Sequence, residues 1–341
     1  MKRTVPIYIA ATLLAVAASI LTGLLSPYAE TAPDASFRAE DSAPPDGYET
    51  PHPAPSAPPD GWSDGSFTLR LSEDGEVREI SMSEYLAGTV AAEMPPGFEP
   101  DALAAQAVAA RTYAVYSSRH RSSAHPDADV CSDSAHCAAY KTEAQLREKW
   151  GADYGAYISK ITAAVRETDG VYLKYDGEPI LAAFHASSSV QTEASENVWG
   201  KAYPYLVSVE TPETAETVPS LIETVVISKS DFKETITKAY PDAKLGADAS
   251  LWFGAAEPTA AGRVASVEIG GVTVPGAELR RLFGLRSTRF AAEVGDDVVI
   301  TTAGYGHGVG MSQQGANLLA KLGYGWREIL ETYSPGTEPS G

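Results

Sequence analysis

The chain has 341 residues, of which 44% are hydrophobic and 21% are charged, and its formal net charge is −19 at pH 7. This composition describes a globular protein rather than a disordered one, and the strong negative charge excludes the basic surface that nucleic-acid binding requires. The length suffices for one large domain or two ordinary ones.

The N-terminus combines a short basic start with a long apolar run. Lys2 and Arg3 precede an uncharged stretch over 5–25, which as a helix would span about 30 Å of bilayer core. Basic residues before such a run favour a cytoplasmic N-terminus and export of the rest. We predict a cytoplasmic stub and transmembrane anchor over 1–25. A cleaved signal peptide is the alternative, because small residues follow the run.

Residues 26–65 change character. They are rich in Pro, Ser, Ala and Asp, and the sequence APPDG occurs twice. Such a segment buries too little apolar surface to fold, and its prolines keep it extended. We predict a Pro-rich linker over 26–65 that holds a folded domain, residues 66–341, away from a membrane.

The folded part opens with two predicted strands and a helix that ends on a carboxylate. The strands are 66–71 and 76–82, joined by a turn. Ser81 and Glu84 form the pattern of a capping box at the start of the helix. Pro95 stops the helix just after Glu93.

Glu93 lies on the same helical face as Leu86 and Val90, which is the side expected to face the core. Apolar surroundings and the negative end of the helix dipole both oppose a charge there. Two interpretations follow: Glu93 is an acid with a raised pKa, or it is paired with a buried arginine. Arg111, on a predicted helix over 100–120, is the natural partner, with either a packing or a substrate-binding role.

The remaining elements alternate between helices and hairpins. In chain order we predict one or two helices at 143–170, a hairpin at 176–177, a strand at 223–228, a helix at 230–240, a hairpin at 270–271, a short helix at 276–284 and a helix beginning near Ser312. The mixture predicts an α+β fold. We expect residues from about 206 to 290 to form a smaller inserted subdomain.

A dense polar run at 184–200 follows a predicted strand and contains His185, Ser187 and Ser188. Hydroxyls and amides on a loop suit the binding of sugars or peptides. A plain Ser- and Thr-rich surface turn is the alternative.

The segment 304–316 surrounds His307 with four glycines, so its backbone can approach a ligand closely. Ser312 is the predicted N-cap of the helix that follows. The glycine spacing is not that of a nucleotide-binding loop, and we exclude nucleotide binding.

Two cysteines and two histidines fall within 13 residues, 125–137. They are His125, Cys131, His136 and Cys137. Two thiolates and two imidazoles suffice for a tetrahedral zinc shell, and we predict structural zinc there. A disulfide between the cysteines is the alternative, since an extracytoplasmic location permits one.

Three blocks of the sequence, 84–116, 183–209 and 304–337, resemble the signature blocks of the stage II sporulation protein D family. The resemblance covers the folded part in order, and GLRST at 284–288 is similar to the family's connecting segment. It implies a single extracytoplasmic α+β catalytic domain behind an anchor in the cell membrane. Ser189 and Val190 stand where the family commonly has two glycines.

The resemblance implies a lytic transglycosylase that cuts peptidoglycan strands lacking stem peptides and leaves 1,6-anhydromuramic ends. The reaction belongs to engulfment during sporulation, in the intermembrane space. The implied partners are the glycan strands, a cell-wall amidase and other engulfment proteins.

Carried over residue by residue, Glu93 matches the family's catalytic glutamate, and Arg111 matches a residue required near it. His185 with Ser187, and His307 with Ser312, match the loops that line the substrate cleft. Ser188 belongs to the first of these loops. The Cys/His cluster resembles the zinc site found in some members.

Three alternatives stay open at this level. Glu196 is the nearest second acid for a hydrolytic mechanism. Some relatives are amidase enhancers, so the chain can be a non-catalytic activator of an amidase. A zinc hydrolase built on the Cys/His cluster requires that His136 is not a ligand, so that a coordination position is open for water.

Overall fold

A long buried helix organises the part of the chain, residues 61–340, that the structure, a computed structural model, describes. The fold is mixed α+β, with several small sheets around a helical centre. The helices are α1 Met82–Glu93, α2 Pro100–Arg119, α3 Glu143–Trp150, α4 Tyr154–Glu167, α5 Ser195–Trp199, α6 Lys229–Ala239, α7 Gly276–Phe283, α8 Gln313–Lys321 and α9 Trp326–Tyr333.

The strands are short and form small sheets. They are β1 Thr68–Glu73, β2 Glu76–Ser81, β3 Val130–Cys131, β4 Leu173–Tyr175, β5 Glu178–Pro179, β6 Phe184–His185, β7 Ile222–Ile227, β8 Phe253–Pro258, β9 Val264–Ile269, β10 Val272–Pro275, β11 Phe290–Val294, β12 Val298–Ala303, β13 Met311–Ser312 and β14 Glu338–Pro339. The sheets have the orders β2-β1-β3, β14-β4-β5, β10-β9-β8, β11-β12-β7 and β13-β6.

The main core surrounds α2. Every residue of this helix from Ala102 to Ser118 is buried, and α1, α4, α8 and α9 pack against it. Its many alanines have no bulk beyond Cβ, so neighbouring helices approach its axis closely. Residues of α1 and α8 that face α2 are thereby brought together.

A second hydrophobic cluster is formed by residues from the part of the chain that runs from β7 to β12. Its buried members include Phe232, Ile269 and Leu279, and it shares no buried residue with the cluster around α2. It includes residues up to Ile300, beyond the end predicted for the inserted subdomain. That this cluster forms a subdomain of its own stays a prediction.

Two of the sequence-predicted local signals are observed directly. Ser81 accepts a hydrogen bond from the main-chain N–H of Glu84 at 3.2 Å and begins α1. β1 pairs with β2 antiparallel. The predicted α2 and the helices within 143–167 also form. Sequence reasoning does not predict β8 and β11, whose alanines and glycine carry little strand preference.

The folded part begins a few residues earlier than predicted. Asp64 is 3% exposed, and the ring of Trp62 packs edge-on against Phe67, so the boundary at residue 66 is too late. Within residues 61–340, no helix is long and apolar enough to cross a membrane. The anchor predicted over 1–25 lies outside the described residues, as does most of the linker.

Candidate active site

Glu93 is the last residue of α1, and its side chain is only 5% exposed. Met94 leaves the helix in an extended conformation before the two prolines. Glu93 Oε1 accepts a hydrogen bond from the main-chain N–H of Ala139 at 2.7 Å. Oε2 accepts one from Nε2 of Gln313 at 3.0 Å. The carboxyl group is therefore held in a fixed orientation from two sides.

Burial raises the pKa of Glu93 above the ordinary value of a glutamate. The hydrogen bonds from Ala139 and Gln313 favour the ionised form and act in the opposite direction, but burial is the larger effect. A carboxyl group with a raised pKa retains its proton to a higher pH, which suits it to general acid catalysis.

Two glutamines that sequence reasoning missed complete the surroundings of Glu93. Gln313 follows Ser312 at the start of α8, and its Nε2 also lies 3.4 Å from Oε1 of Gln106 on α2. Gln106 is fully buried. A lone amide within the alanine-rich sequence of α2 was the available signal, because a buried polar group requires partners.

Arg111 does not pair with Glu93, so that sequence-based pairing is wrong. Its guanidinium is fully buried and holds both oxygens of Asp64 at 2.6 Å. It also donates to the main-chain oxygen of Val171 at 2.9 Å. This arrangement ties the segment before β1 to α2 and leaves no exposed face for substrate, so the predicted substrate contact is corrected to a structural role.

The two predicted loops meet through a short parallel pairing of β6 with β13, which sets His185 beside Ser312. His185 Nδ1 donates to the main-chain oxygen of Val309 at 3.1 Å, and Nε2 bonds to the hydroxyl of Ser188. The N–H of Val309 donates to Nδ1 of His307 at 3.0 Å. One peptide segment therefore orients both rings, whose centroids lie 5.6 Å apart.

Burial, with the electrostatic effects of His307 and Arg263, lowers the pKa of His185 well below its usual range. His185 is therefore a neutral imidazole that donates through Nδ1 and accepts through Nε2. Ser187 joins the second loop through its main chain, which exchanges hydrogen bonds with Tyr305. Substrate contact by His185, Ser187 and His307 stays a prediction.

Glu213 is a second buried carboxylate that sequence reasoning missed. It accepts hydrogen bonds from the main-chain N–H of Ser188 at 2.9 Å and from the hydroxyl of Thr211 at 2.9 Å, and it bonds to the hydroxyl of Ser312. The predicted N-cap role of Ser312 is observed as well, toward the N–H of Gly315 at 3.2 Å. The hydroxyls of Ser188 and Ser312 thus face protein groups rather than an open surface.

The Cys/His segment brings three of its four predicted ligands together. Donor atoms of His125, Cys131 and Cys137 lie within 4.8 Å of one another, with His125 Nε2 at 3.2 Å from Sγ of Cys137. His136 is exposed and turns toward Asp133, 3.6 Å away, so the four-ligand shell is corrected to a three-residue cluster. Both cysteines are free thiols.

This cluster fits a zinc ion by the chemistry of its donors. Two sulfurs and an imidazole are the ligands that zinc prefers. His125 Nδ1 lies 3.3 Å from the main-chain oxygen of Ala128, which leaves Nε2 for a metal. Hydrogen bonds from Cys131 and His125 lower the pKa of Cys137, which favours the thiolate. Cys137 is two residues from Ala139, so the cluster shapes the segment that holds Glu93.

Comparison with known proteins identifies the class to which this fold and site belong. Residues 72–175, which include α1, α2 and the Cys/His cluster, match the family model described as Stage II sporulation protein. The part of the chain that carries Glu93 therefore matches a class of sporulation proteins.

Similarity to individual relatives extends over most of the chain. The chain is 37% identical over 277 residues to the stage II sporulation protein D of Bacillus subtilis, and the match covers 81% of this chain and 79% of the relative. It is 36% identical over 280 residues to that of Bacillus amyloliquefaciens, covering 81% and 78%. The chain belongs to the stage II sporulation protein D family, which confirms the resemblance.

A more distant relative has a different name. The chain is 29% identical over 302 residues to a protein of Bacillus subtilis named amidase enhancer, covering 74% of this chain but 40% of that protein.

Proposed function

We propose that this chain is a lytic transglycosylase that cleaves the glycan strands of peptidoglycan during sporulation. The observation that supports this is Glu93, a buried carboxyl group with a raised pKa, oriented by Ala139 and Gln313. Membership of a sporulation family agrees with the process. The proposal includes the predicted anchor, with the domain outside the cytoplasm.

In the first step, Glu93 gives its proton to the oxygen that links the muramic sugar to the next sugar, and the bond from C1 to that oxygen breaks. In the second step, the same carboxylate takes the proton of the C6 hydroxyl, whose oxygen bonds to C1. The product is a 1,6-anhydro ring, and Glu93 is again protonated. One carboxyl group therefore suffices, provided that water is excluded.

A hydrolytic glycosidase ordinarily needs a second carboxylate. Of the nearby acids, Glu213 is engaged by four protein groups, two N–H groups and two hydroxyls. Glu196, the second acid considered from the sequence, is exposed on α5. The hydrogen bonds found for Glu93 are with Ala139 and Gln313 rather than with either acid. This supports anhydro-ring formation over hydrolysis.

We propose that zinc is held by His125, Cys131 and Cys137. A bound zinc ion would fix the segment that leads to Ala139, and with it the N–H that orients Glu93.

Because His136 faces Asp133, three ligands leave one coordination position open, so the ligand count alone also permits the zinc hydrolase considered from the sequence. We propose a structural ion because all three ligands are buried and Cys137 lies two residues from Ala139, whose N–H orients Glu93. The ion would supply a cross-link there rather than a step of the reaction.

Activation of a cell-wall amidase is the second candidate function. It is supported by the relative named amidase enhancer. Under this alternative the chain binds glycan strands or the amidase without cutting a glycosidic bond.

The test incubates the full chain with glycan strands that lack stem peptides and identifies the new ends by mass spectrometry. Anhydromuramic ends formed by the wild type and not by Glu93→Gln are expected. Reducing ends would replace the proposal with hydrolysis. The absence of new ends, together with faster stem-peptide release when an amidase and the chain are added to intact peptidoglycan in a parallel assay, would favour the activator.

A further inference from the structure

Arg263 is a buried cation whose guanidinium has no hydrogen-bond partner within the described residues. The side chain is 1% exposed, and Nε, Nη1 and Nη2 are all unbonded. A buried ionised group without a partner is costly, and protein interiors ordinarily pair such groups. The side chain is therefore a candidate for binding a ligand.

The guanidinium lies against the glycine-rich loop of the candidate active site. Gly308 has a φ of +86°, and a Cβ added there would lie 2.3 Å from Cζ of Arg263. Only glycine at this position leaves space for the guanidinium beside His307 and Val309, the residues that flank Gly308. The charge of Arg263 also contributes to the lowered pKa of His185. Arg263 thus belongs spatially to the loops that contain the two histidines.

Both cations and carboxylates influence the titration of Arg263. Besides Arg263 itself, Arg289 and Arg280 are the cations that act on this group, and Glu193 and Glu213 are the carboxylates. Burial lowers the pKa of Arg263 to about 10, so it stays charged at neutral pH.

Both carboxylates already serve other groups. Glu193 accepts hydrogen bonds from Thr259 at 2.5 Å and from Asn197 at 2.8 Å, and Glu213 binds the loop at Ser188. A ligand carboxylate would neutralise the buried charge of Arg263 and accept two parallel hydrogen bonds from the guanidinium, the geometry in which arginine binds carboxylates best.

We propose that Arg263 binds the lactyl carboxylate of a muramic acid residue in the bound glycan strand. The inference rests on the proposed function and names the substrate feature that the site selects. In an intact strand the lactyl group is joined to the stem peptide by an amide and carries no charge. Removal of the stem peptide frees a carboxylate, so a cation at this position discriminates stripped strands from intact ones.

Access to the guanidinium requires movement of the turn at 259–263, which joins β8 to β9. Three side-chain hydrogen bonds connect this turn to other segments. The hydroxyl of Thr259 donates to the carboxylate of Glu193. Gln191 donates to the main-chain oxygen of Ala260 at 3.2 Å, and Arg289 donates to the main-chain oxygen of Ala261. None of the residues in these three contacts is a member of either hydrophobic core.

The experiment compares two substrates made from one preparation of stripped strands. In one the lactyl carboxylates are free, and in the other they are converted to neutral methylamides. The full-chain wild type, Arg263→Gln and Arg263→Lys are assayed for anhydromuramic ends. Binding of both substrates is measured in the Glu93→Gln background, with and without Arg263→Gln.

For the wild type we expect a kcat/KM at least about tenfold higher on the free carboxylates. Arg263→Gln should bring that ratio close to one by raising KM on the free carboxylates, and Arg263→Lys should retain part of it. Equal cleavage of both substrates by the wild type overturns the inference even if the variants do not fold. So does an unchanged ratio in folded Arg263→Gln.

The binding measurement separates this inference from the proposed function. If the wild type forms no anhydromuramic ends, the proposed function fails. Glu93→Gln protein should still prefer the free carboxylates and lose the preference with Arg263→Gln. Equal binding of the two substrates overturns the inference whatever the enzyme assay gives.

Discussion

Nε2 of Gln313 donates a 3.0 Å hydrogen bond to Oε2 of Glu93, although 220 positions separate the two residues in the sequence. Gln313 is the first residue of α8 and Glu93 the last of α1, and both helices pack on α2. The hydrogen bond favours the ionised carboxylate, against the larger effect of burial. Gln313 is therefore a positioning residue that also limits how far the pKa of Glu93 is raised.

We predict that Gln313→Leu raises the pKa of Glu93 further, because the hydrogen bond that favours the ionised form is lost. An acid that must be protonated then works to a higher pH, so the alkaline limb of the pH–rate profile should move upward. Loss of orientation should lower kcat by up to about 100-fold.

The measurement is the pH dependence of kcat, with Gln314→Leu as the control. Gln314 is the next residue, and it contacts Ala186 through its main-chain N–H. An alkaline limb that stays in place in Gln313→Leu would mean that this hydrogen bond does not influence the titration of Glu93.

We predict that Glu93→Gln lowers the rate by at least about 10²–10⁴-fold without unfolding the protein. The stability of the wild-type protein should fall as pH rises through the titration of Glu93. Because the folded-state pKa of Glu93 is raised, the contribution to stability is present below its ordinary pKa and is lost as pH rises through the raised value. Glu93→Gln lacks that loss and should be the more stable protein above the raised pKa.

Denaturant unfolding from pH 4 to pH 8 checks the stability, with Glu84→Gln as the control. Glu84 lies on the same helix, and its side chain is 59% exposed. A difference in stability between Glu93→Gln and wild type that does not move in favour of Glu93→Gln as pH rises would contradict the effect assigned to burial.

We predict that zinc, once loaded, is lost from Cys137→Ser and kept by His136→Ala. His125, Cys131 and Cys137 lie together, whereas His136 faces Asp133. Removal of zinc should also lower activity, since the segment that carries Ala139 would lose its anchor. Metal analysis after dialysis gives the stoichiometry, and retention by Cys137→Ser with loss from His136→Ala would reverse the assignment.

We predict that Asp64→Ala destabilises the protein by about 3–5 kcal/mol, because it leaves the buried charge of Arg111 without its partner. Arg119→Ala is the matched control, because it breaks an ion pair with Glu178 whose carboxylate is 69% exposed. The control should cost less than about 1 kcal/mol. Free energies of unfolding from urea titrations measure both, and equal losses would remove the special role of the buried pair.

Much of the local structure follows from the sequence for local reasons. Ser81 begins α1 and the prolines end it, so Glu93 falls at the helix end on the buried face. The turn at Asp176 and Gly177 is predicted because both residues tolerate the positive φ that they adopt. The strands β8 and β11 carry no comparable local signal. They form because pairing with neighbouring strands stabilises them.

The sequence by itself determined the helix ends, the buried acid Glu93 and the neighbouring thiols Cys131 and Cys137, since these depend on residues close together in the chain. Only the tertiary structure decided which charges and amides meet. Arg111 forms an ion pair with Asp64, and Gln313 donates a hydrogen bond to Glu93. The physical reason is that a buried polar group binds whichever partner packing brings within reach, and helix packing on α2 sets that distance.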